Sequence, residues 1–195
     1  MAILTKIVLM GDGAVGKTSL RNSFMGERFT GDYLMTVGAD FSLKEYPVTV
    51  QGKKFDIKFQ IWDLAGQQRF EMVRAAFYNG TVGGVLVYDI TRPESFENTI
   101  KWLLELGKNA NVRGNPPPVV LLGNKSDLRD KVDNSVSRDQ GQLLAKTLPQ
   151  YYCNNKFEIP FFETSAVNGQ NVDAAFKTLG EQIIQVTKFK TATPT

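Results

Sequence analysis

Apolar residues fall along this chain in three rhythms, and each rhythm predicts an element. The stretch from Ile3 to Met10, with Ile7, Val8 and Leu9 at its centre, is short, mostly apolar and ends on glycine, as a buried strand does. Residues Lys17 to Phe24 favour a helix, and Gly26 to Gly38 is polar and without period, which predicts a loop. From Ala39 to Val50 the apolar positions Phe41, Leu43, Tyr46 and Val48 alternate imperfectly. After the turn Gln51 to Lys54, Phe55 to Trp62 alternates cleanly, so the two runs predict a hairpin with one solvated face. A weak helix is expected over Arg69 to Tyr78. Gly83 to Asp89 and Val119 to Gly123 are continuous apolar runs, the pattern of parallel strands covered on both faces. Between them a helix beginning near Pro93 carries the stripe Trp102, Leu103 and Leu106. Arg129 to Ser135 is expected as a loop, and Ser137 to Gln140 resembles a capping box. Pro149 to Ile159 forms a long connection before a last strand over Ile159 to Thr164, and Val172 to Val186 a final helix with Phe176, Leu179 and Ile183 inward.

Strands alternating with helices predict an α/β fold: a doubly wound, mostly parallel sheet of about six strands with one antiparallel edge strand. The chain has 195 residues, which suits one domain over residues 1–187 and a short tail over 188–195. Its net charge of +3 is scattered, with no basic run longer than a pair, so no nucleic-acid partner is expected. Histidine is absent and Cys153 is the single cysteine, which excludes disulfides, Cys/His zinc sites and every His-dependent mechanism. The N-terminal run lacks the basic start of a signal peptide, Ala2 excludes myristoylation, and the last residues carry no prenylatable cysteine. A cytoplasmic monomer without an encoded lipid anchor is the expectation, reaching membranes through partners or through a C-terminal tail missing from this chain.

The chemistry concentrates where strands end. Gly11-Asp12-Gly13-Ala14-Val15-Gly16-Lys17-Thr18 follows the first strand and opens the first helix, the context that G-x-x-x-x-G-K-[ST] demands. Small residues let successive backbone N–H groups face one concavity, and the helix dipole adds to it. Lys17 is placed to meet β- and γ-phosphates, and the Thr18 hydroxyl to ligate Mg²⁺. Asp63, at the end of the alternating strand, suits a second magnesium-holding group, and Gly66 an unobstructed N–H for a γ-phosphate. Gln67 has no titrating group and can orient a water. Asn124-Lys125-Ser126-Asp127 matches the N-K-x-D element: the carboxylate of Asp127 can accept from both N1–H and N2–H₂ of guanine, a donor pair that adenine lacks. The Ala166 N–H can meet guanine O6.

These motifs resemble, in order and spacing over essentially the whole chain, those of the Ras-type small GTPases, most closely the Rab branch. The resemblance implies a P-loop NTPase with a Ras-like G domain that binds GTP or GDP with Mg²⁺ and hydrolyses GTP. It implies nucleotide contacts from Gly11 to Ser19, a magnesium and γ-phosphate role for Thr36, stacking of Phe29 on the base, and closure by Tyr33. It also implies base-side contacts from Ser165, Ala166 and Val167, the last standing where a lysine is often found, and an effector-facing trio of Phe41, Trp62 and Tyr78. Leu64 and Gln68 stand where Rab proteins usually have threonine and glutamate. An exchange factor, a GTPase-activating protein and effectors are the implied partners. No arginine is obviously placed to act in cis, so hydrolysis is expected to be slow alone. Gly13 leaves room for Gln67. A GTP-dependent scaffold with negligible turnover is the alternative.

Overall fold

A computed structural model describes residues 2–29, 36, 38–66 and 71–188. Strands β1 (Ile3–Met10), β2 (Ala39–Val50), β3 (Lys53–Leu64), β4 (Gly83–Asp89), β5 (Val119–Asn124) and β6 (Phe161–Thr164) form one sheet in the order β2-β3-β1-β4-β5-β6. β2 pairs antiparallel with β3 and every other pairing is parallel. The doubly wound sheet with one antiparallel edge strand is therefore as expected.

Burial explains the rhythms. β4 and β5 are buried at every position because both faces are covered. Val85, Val87, Val120 and Leu122 join α1 (Lys17–Met25) and α6 (Val172–Lys188) in one core. Leu86, Tyr88, Val119 and Leu121 join α4 (Thr99–Asn109) and α5 (Arg138–Cys153) in the other. β3 is covered on one face along most of its length: Ile57, Phe59 and Ile61 enter the first core, Lys58 and Gln60 stay outside, and only at its end do Trp62 and Leu64 meet the second core. Phe24 and Phe176 stack at 3.9 Å and fix α1 against α6. Such aromatic pairs add about 1 kcal/mol beyond their area.

Several elements differ from expectation. The helix after β4 is two helices, α3 (Pro93–Glu97) and α4, meeting at Asn98, whose side chain donates to Asp12 at 2.8 Å. The loop expected over Arg129 to Ser135 overlaps a 3₁₀ helix, Ser126–Lys131. The Ser137/Gln140 capping box is present, but α5 runs through Pro149 to Cys153. Proline removes one N–H from the ladder there without ending the helix, whose last turn is closed where the Cys153 Sγ and the backbone N–H groups of Asn154 and Asn155 donate to the Pro149 carbonyl. The helix expected over Arg69 to Tyr78 appears as α2 (Glu71–Phe77), and Arg69 lies outside the described residues. No helix among the described residues is long and apolar enough to cross a membrane.

Candidate nucleotide site

The carboxyl ends of β1, β3, β4, β5 and β6 open on one rim, where ligands bind in such sheets. The chain leaves β1 through two glycine conformations that a side chain would forbid. Gly11 has φ 138 and a Cβ there would sit 2.1 Å from the Val87 carbonyl; Gly16 has φ 95, with Asn124 Nδ2 2.4 Å from its absent Cβ. Ala14 adopts φ 64, so the loop turns tightly before α1. Helix α1 starts with no side-chain cap, leaving the N–H donors of its first turn for another acceptor.

Lys17 folds back over this loop, donating to the carbonyls of Gly11 at 2.7 Å and Asp12 at 2.8 Å. It is 6% exposed, and burial lowers its pKa to about 8 despite the attraction of Asp63 and Asp12. A desolvated ammonium bonded to neutral carbonyls, without a carboxylate in hydrogen-bond contact among the described residues, is a site that an anion would complete. Asp12 contributes backbone alone to the loop, because its carboxylate turns away to accept from Trp102 Nε1 at 2.7 Å and Asn98.

Thr18, Thr36 and Asp63 come together. The Thr18 hydroxyl lies 3.0 Å from the Thr36 hydroxyl and donates to Asp63 Oδ2. Asp63 is fully buried, which raises its pKa, and its Oδ1 has no hydrogen-bond partner. Two hydroxyls and a carboxylate with an unused oxygen suit Mg²⁺, which takes oxygen donors, retains waters and needs few protein ligands. Gly66 packs so closely that a Cβ would stand 2.4 Å from the Asp12 carbonyl carbon, so glycine alone fits this approach to the phosphate loop. A Cβ at Gly13 meets nothing within 4 Å. Tyr33 and Gln67 lie outside the described residues.

The turn after β5 is bound into the same rim. Asn124 donates to the Val15 carbonyl at 2.9 Å and accepts from Thr164 at 3.3 Å, bridging the phosphate loop to β6. Lys125, at φ 68, reaches back to Asp89 at 2.7 Å. Asp127 accepts from the Ser165 hydroxyl at 2.5 Å, and that hydroxyl also takes the Val167 N–H at 3.2 Å. Ser165 and Ala166 are buried, whereas Val167 and Phe29 stand half exposed at the outer edge. Ser19 lies in the first turn of α1.

Two placements correct the sequence reading. Tyr78 is fully buried, and the ring that joins Phe41 and Trp62 is Phe77: Phe41 stacks on Trp62 at 5.4 Å and Trp62 meets Phe77 at 5.5 Å. An arginine also does reach the loop in cis, Arg92 donating to the Gly13 carbonyl at 2.8 Å. Its signal was present, since Arg92 follows the carboxyl end of β4, which shares the rim.

A phosphate-cradling loop, an oxygen-donor set for magnesium and a carboxylate-bearing turn on one doubly wound sheet define a guanine-nucleotide-binding protein of the small GTPase class. The chain belongs to the Ras family, whose model matches residues 6–185, and within it to the Rab branch. It is 41% identical over 188 residues to Ras-related protein Rab-10 of Diplobatis ommata, covering 96% of this chain and 85% of that one. Its identity is 42% over 185 residues with the Ypt/Rab-type GTPase YPT7 of Saccharomyces cerevisiae, covering 93% and 82%. With Rab7 of Drosophila melanogaster it is 40% over 184 residues, covering 94% and 82%.

Proposed function

We propose that this chain is a Rab-type molecular switch that binds GTP and GDP and itself hydrolyses GTP to GDP and phosphate, with a role in intracellular trafficking. Lys17 holds the β- and γ-phosphates, aided by backbone N–H groups from Gly13 to Ser19. Thr18, Thr36 and Asp63 hold Mg²⁺, which when bound offsets the charge of the phosphates. Asp127 selects guanine, its carboxylate held by Ser165, and Asn124, Lys125, Ala166 and Val167 complete the base side. Gly66 offers its N–H to the γ-phosphate and Gln67 orients the attacking water. The water oxygen bonds to the γ-phosphorus as the bond to the β-bridging oxygen breaks, and its protons leave with the phosphate and the solvent. Loss of the γ-phosphate frees the segments around Thr36 and Gly66, the change that effectors read. An exchange factor and a GTPase-activating protein set the state of the switch, and the chain works as a cytoplasmic monomer that reaches membranes through partners or through a C-terminal tail.

The observation that carries this reading is the Asn124 bridge, which fastens the guanine-type turn to the phosphate loop on one rim. The test is the nucleotide itself. Purified protein should retain GDP or GTP on elution and chromatography, prefer them to ATP, and release phosphate in a single turnover with Mg²⁺. Gln67→Leu should keep GTP binding and lose about tenfold or more of that turnover. Retention without phosphate release from the unmodified chain would favour the scaffold reading.

A further inference from the structure

Two arginines stand near enough to Lys17 to disfavour its charge, Arg74 and Arg92. Arg74 is spent elsewhere: it forms a two-point pair with Glu105 at 2.9 and 3.0 Å and lies 4.3 Å over the Trp102 ring. Arg92 has no acidic partner among the described residues. Its guanidinium donates from Nη1 to the Gly13 carbonyl at 2.8 Å, and the residue is half buried against the loop.

The backbone at Arg92 is fixed before that reach begins. Its N–H donates to the Asp89 carbonyl at 3.0 Å, its own carbonyl accepts from the Ser95 N–H at 3.0 Å and hydroxyl at 2.7 Å, and Pro93 opens α3 behind it. The Gly13 carbonyl and the Ala14 N–H belong to one peptide unit, and no peptide bond here is cis. In a trans unit the two groups point in opposite directions. A carbonyl turned to Arg92 on the flank of the loop therefore aims the Ala14 N–H away from that flank, toward the concavity where Lys17 sits. A cationic donor on the carbonyl also withdraws charge from the amide and strengthens its N–H as a donor.

Resting on the GTPase reading above, we propose that Arg92 is a positioning residue for phosphoryl transfer, supplied in cis. Through the Gly13–Ala14 peptide it fixes and polarises the Ala14 N–H against the phosphate oxygen that gains charge as the γ-phosphoryl group departs. Its guanidinium adds a positive charge on the far side of that peptide, aligned with the amide dipole that faces the phosphates. Donors aimed at developing charge accelerate the step more than they tighten ground-state binding. A chain with such a residue turns over faster alone than one that waits wholly for a partner's arginine.

The test is single-turnover hydrolysis of preloaded GTP with Mg²⁺ and no partner, in the unmodified protein and in Arg92→Lys, Arg92→Gln and Arg92→Ala. Arg92→Ala should be slower by about tenfold, Arg92→Gln by about threefold, and Arg92→Lys, which keeps a cationic donor, by less than about threefold. The GDP dissociation rate and the melting temperature of the GDP-bound forms should stay near those of the unmodified protein, a split that a merely structural contact would not give. Should Arg92→Ala fold poorly, the closely sized Arg92→Gln carries the same comparison. Arg92→Ala hydrolysing within twofold of the unmodified protein overturns the proposal, and so does an equal loss in Arg92→Ala and Arg92→Lys. Absence of bound nucleotide or turnover in the unmodified protein would instead remove the GTPase reading itself.

Discussion

The two ends of the nucleotide rim are built on opposite plans. At the base end the polar groups already answer one another: Asn124 bridges the phosphate loop and β6, Lys125 pairs with Asp89, and Asp127 holds the Ser165 hydroxyl. At the phosphate end charge is left over. Lys17 is buried against neutral carbonyls and Asp63 is buried with one oxygen unpaired. Buried polar groups with partners hold shape, and those without them cost free energy until a ligand arrives. The base end is thus a template, and the phosphate end stores the drive for triphosphate and metal.

The largest test of that contrast is Lys17→Ala. Removing the one ammonium aimed at the phosphates should weaken GTP and GDP by about a thousandfold, roughly 4 kcal/mol. Displacement titration of a fluorescent guanine nucleotide would measure it. The nucleotide-free variant should melt no lower than the unmodified protein, because the lost ammonium was desolvated. A large drop in its melting temperature would make Lys17 a strut and cancel the contrast.

Asp127→Asn probes the other end. The amide keeps an oxygen for the Ser165 hydroxyl, so the turn should fold unchanged, yet it turns an N–H₂ group toward the donor edge of guanine. Affinity for GDP should fall by about a hundredfold, and xanthosine diphosphate, whose C2 oxygen accepts from that amide, should gain. Competition between the two nucleotides reads the change. Equal affinities before and after would move base selection off Asp127.

What could be read from the chain follows from how local each cause is. The phosphate loop and the Asn124 turn are contiguous, and a strand covered on both faces announces itself by continuous apolar residues, as β4 and β5 do. Long-range choices were hidden. α2 has seven residues, too few to set the phase that makes Phe77 the neighbour of Trp62 and buries Tyr78 one position later. Pro149 stands inside α5 because Leu148, Tyr152 and Cys153 around it are buried in the second core, so tertiary packing holds the helix through the missing N–H. Arg92 and Gly13 are far apart in sequence, and only the shared rim brings them to 2.8 Å.

The smallest effect sharpens the contrast most, because it concerns an ion pair that braces the phosphate end from outside. Arg21 on α1 meets Asp40 at 2.5 Å at the start of β2, beyond the Gly38 carbonyl that receives the Ala65 N–H. The hydrogen bond from Arg21 lowers the pKa of Asp40, so the pair contributes stability above the unfolded carboxylate value and loses it as pH falls through the depressed folded value. Asp40 is largely exposed, and solvent screening leaves such a pair about 0.5 kcal/mol or less. Asp40→Asn should therefore lower the melting temperature at pH 7 by about 1 °C, a difference that shrinks as the pH falls below the unfolded carboxylate value and in about 1 M salt. A loss several times larger would mean that the phosphate end is braced as firmly as the base end before any nucleotide arrives, and that its unpaired charges are held in place by the scaffold instead of by the ligand they await.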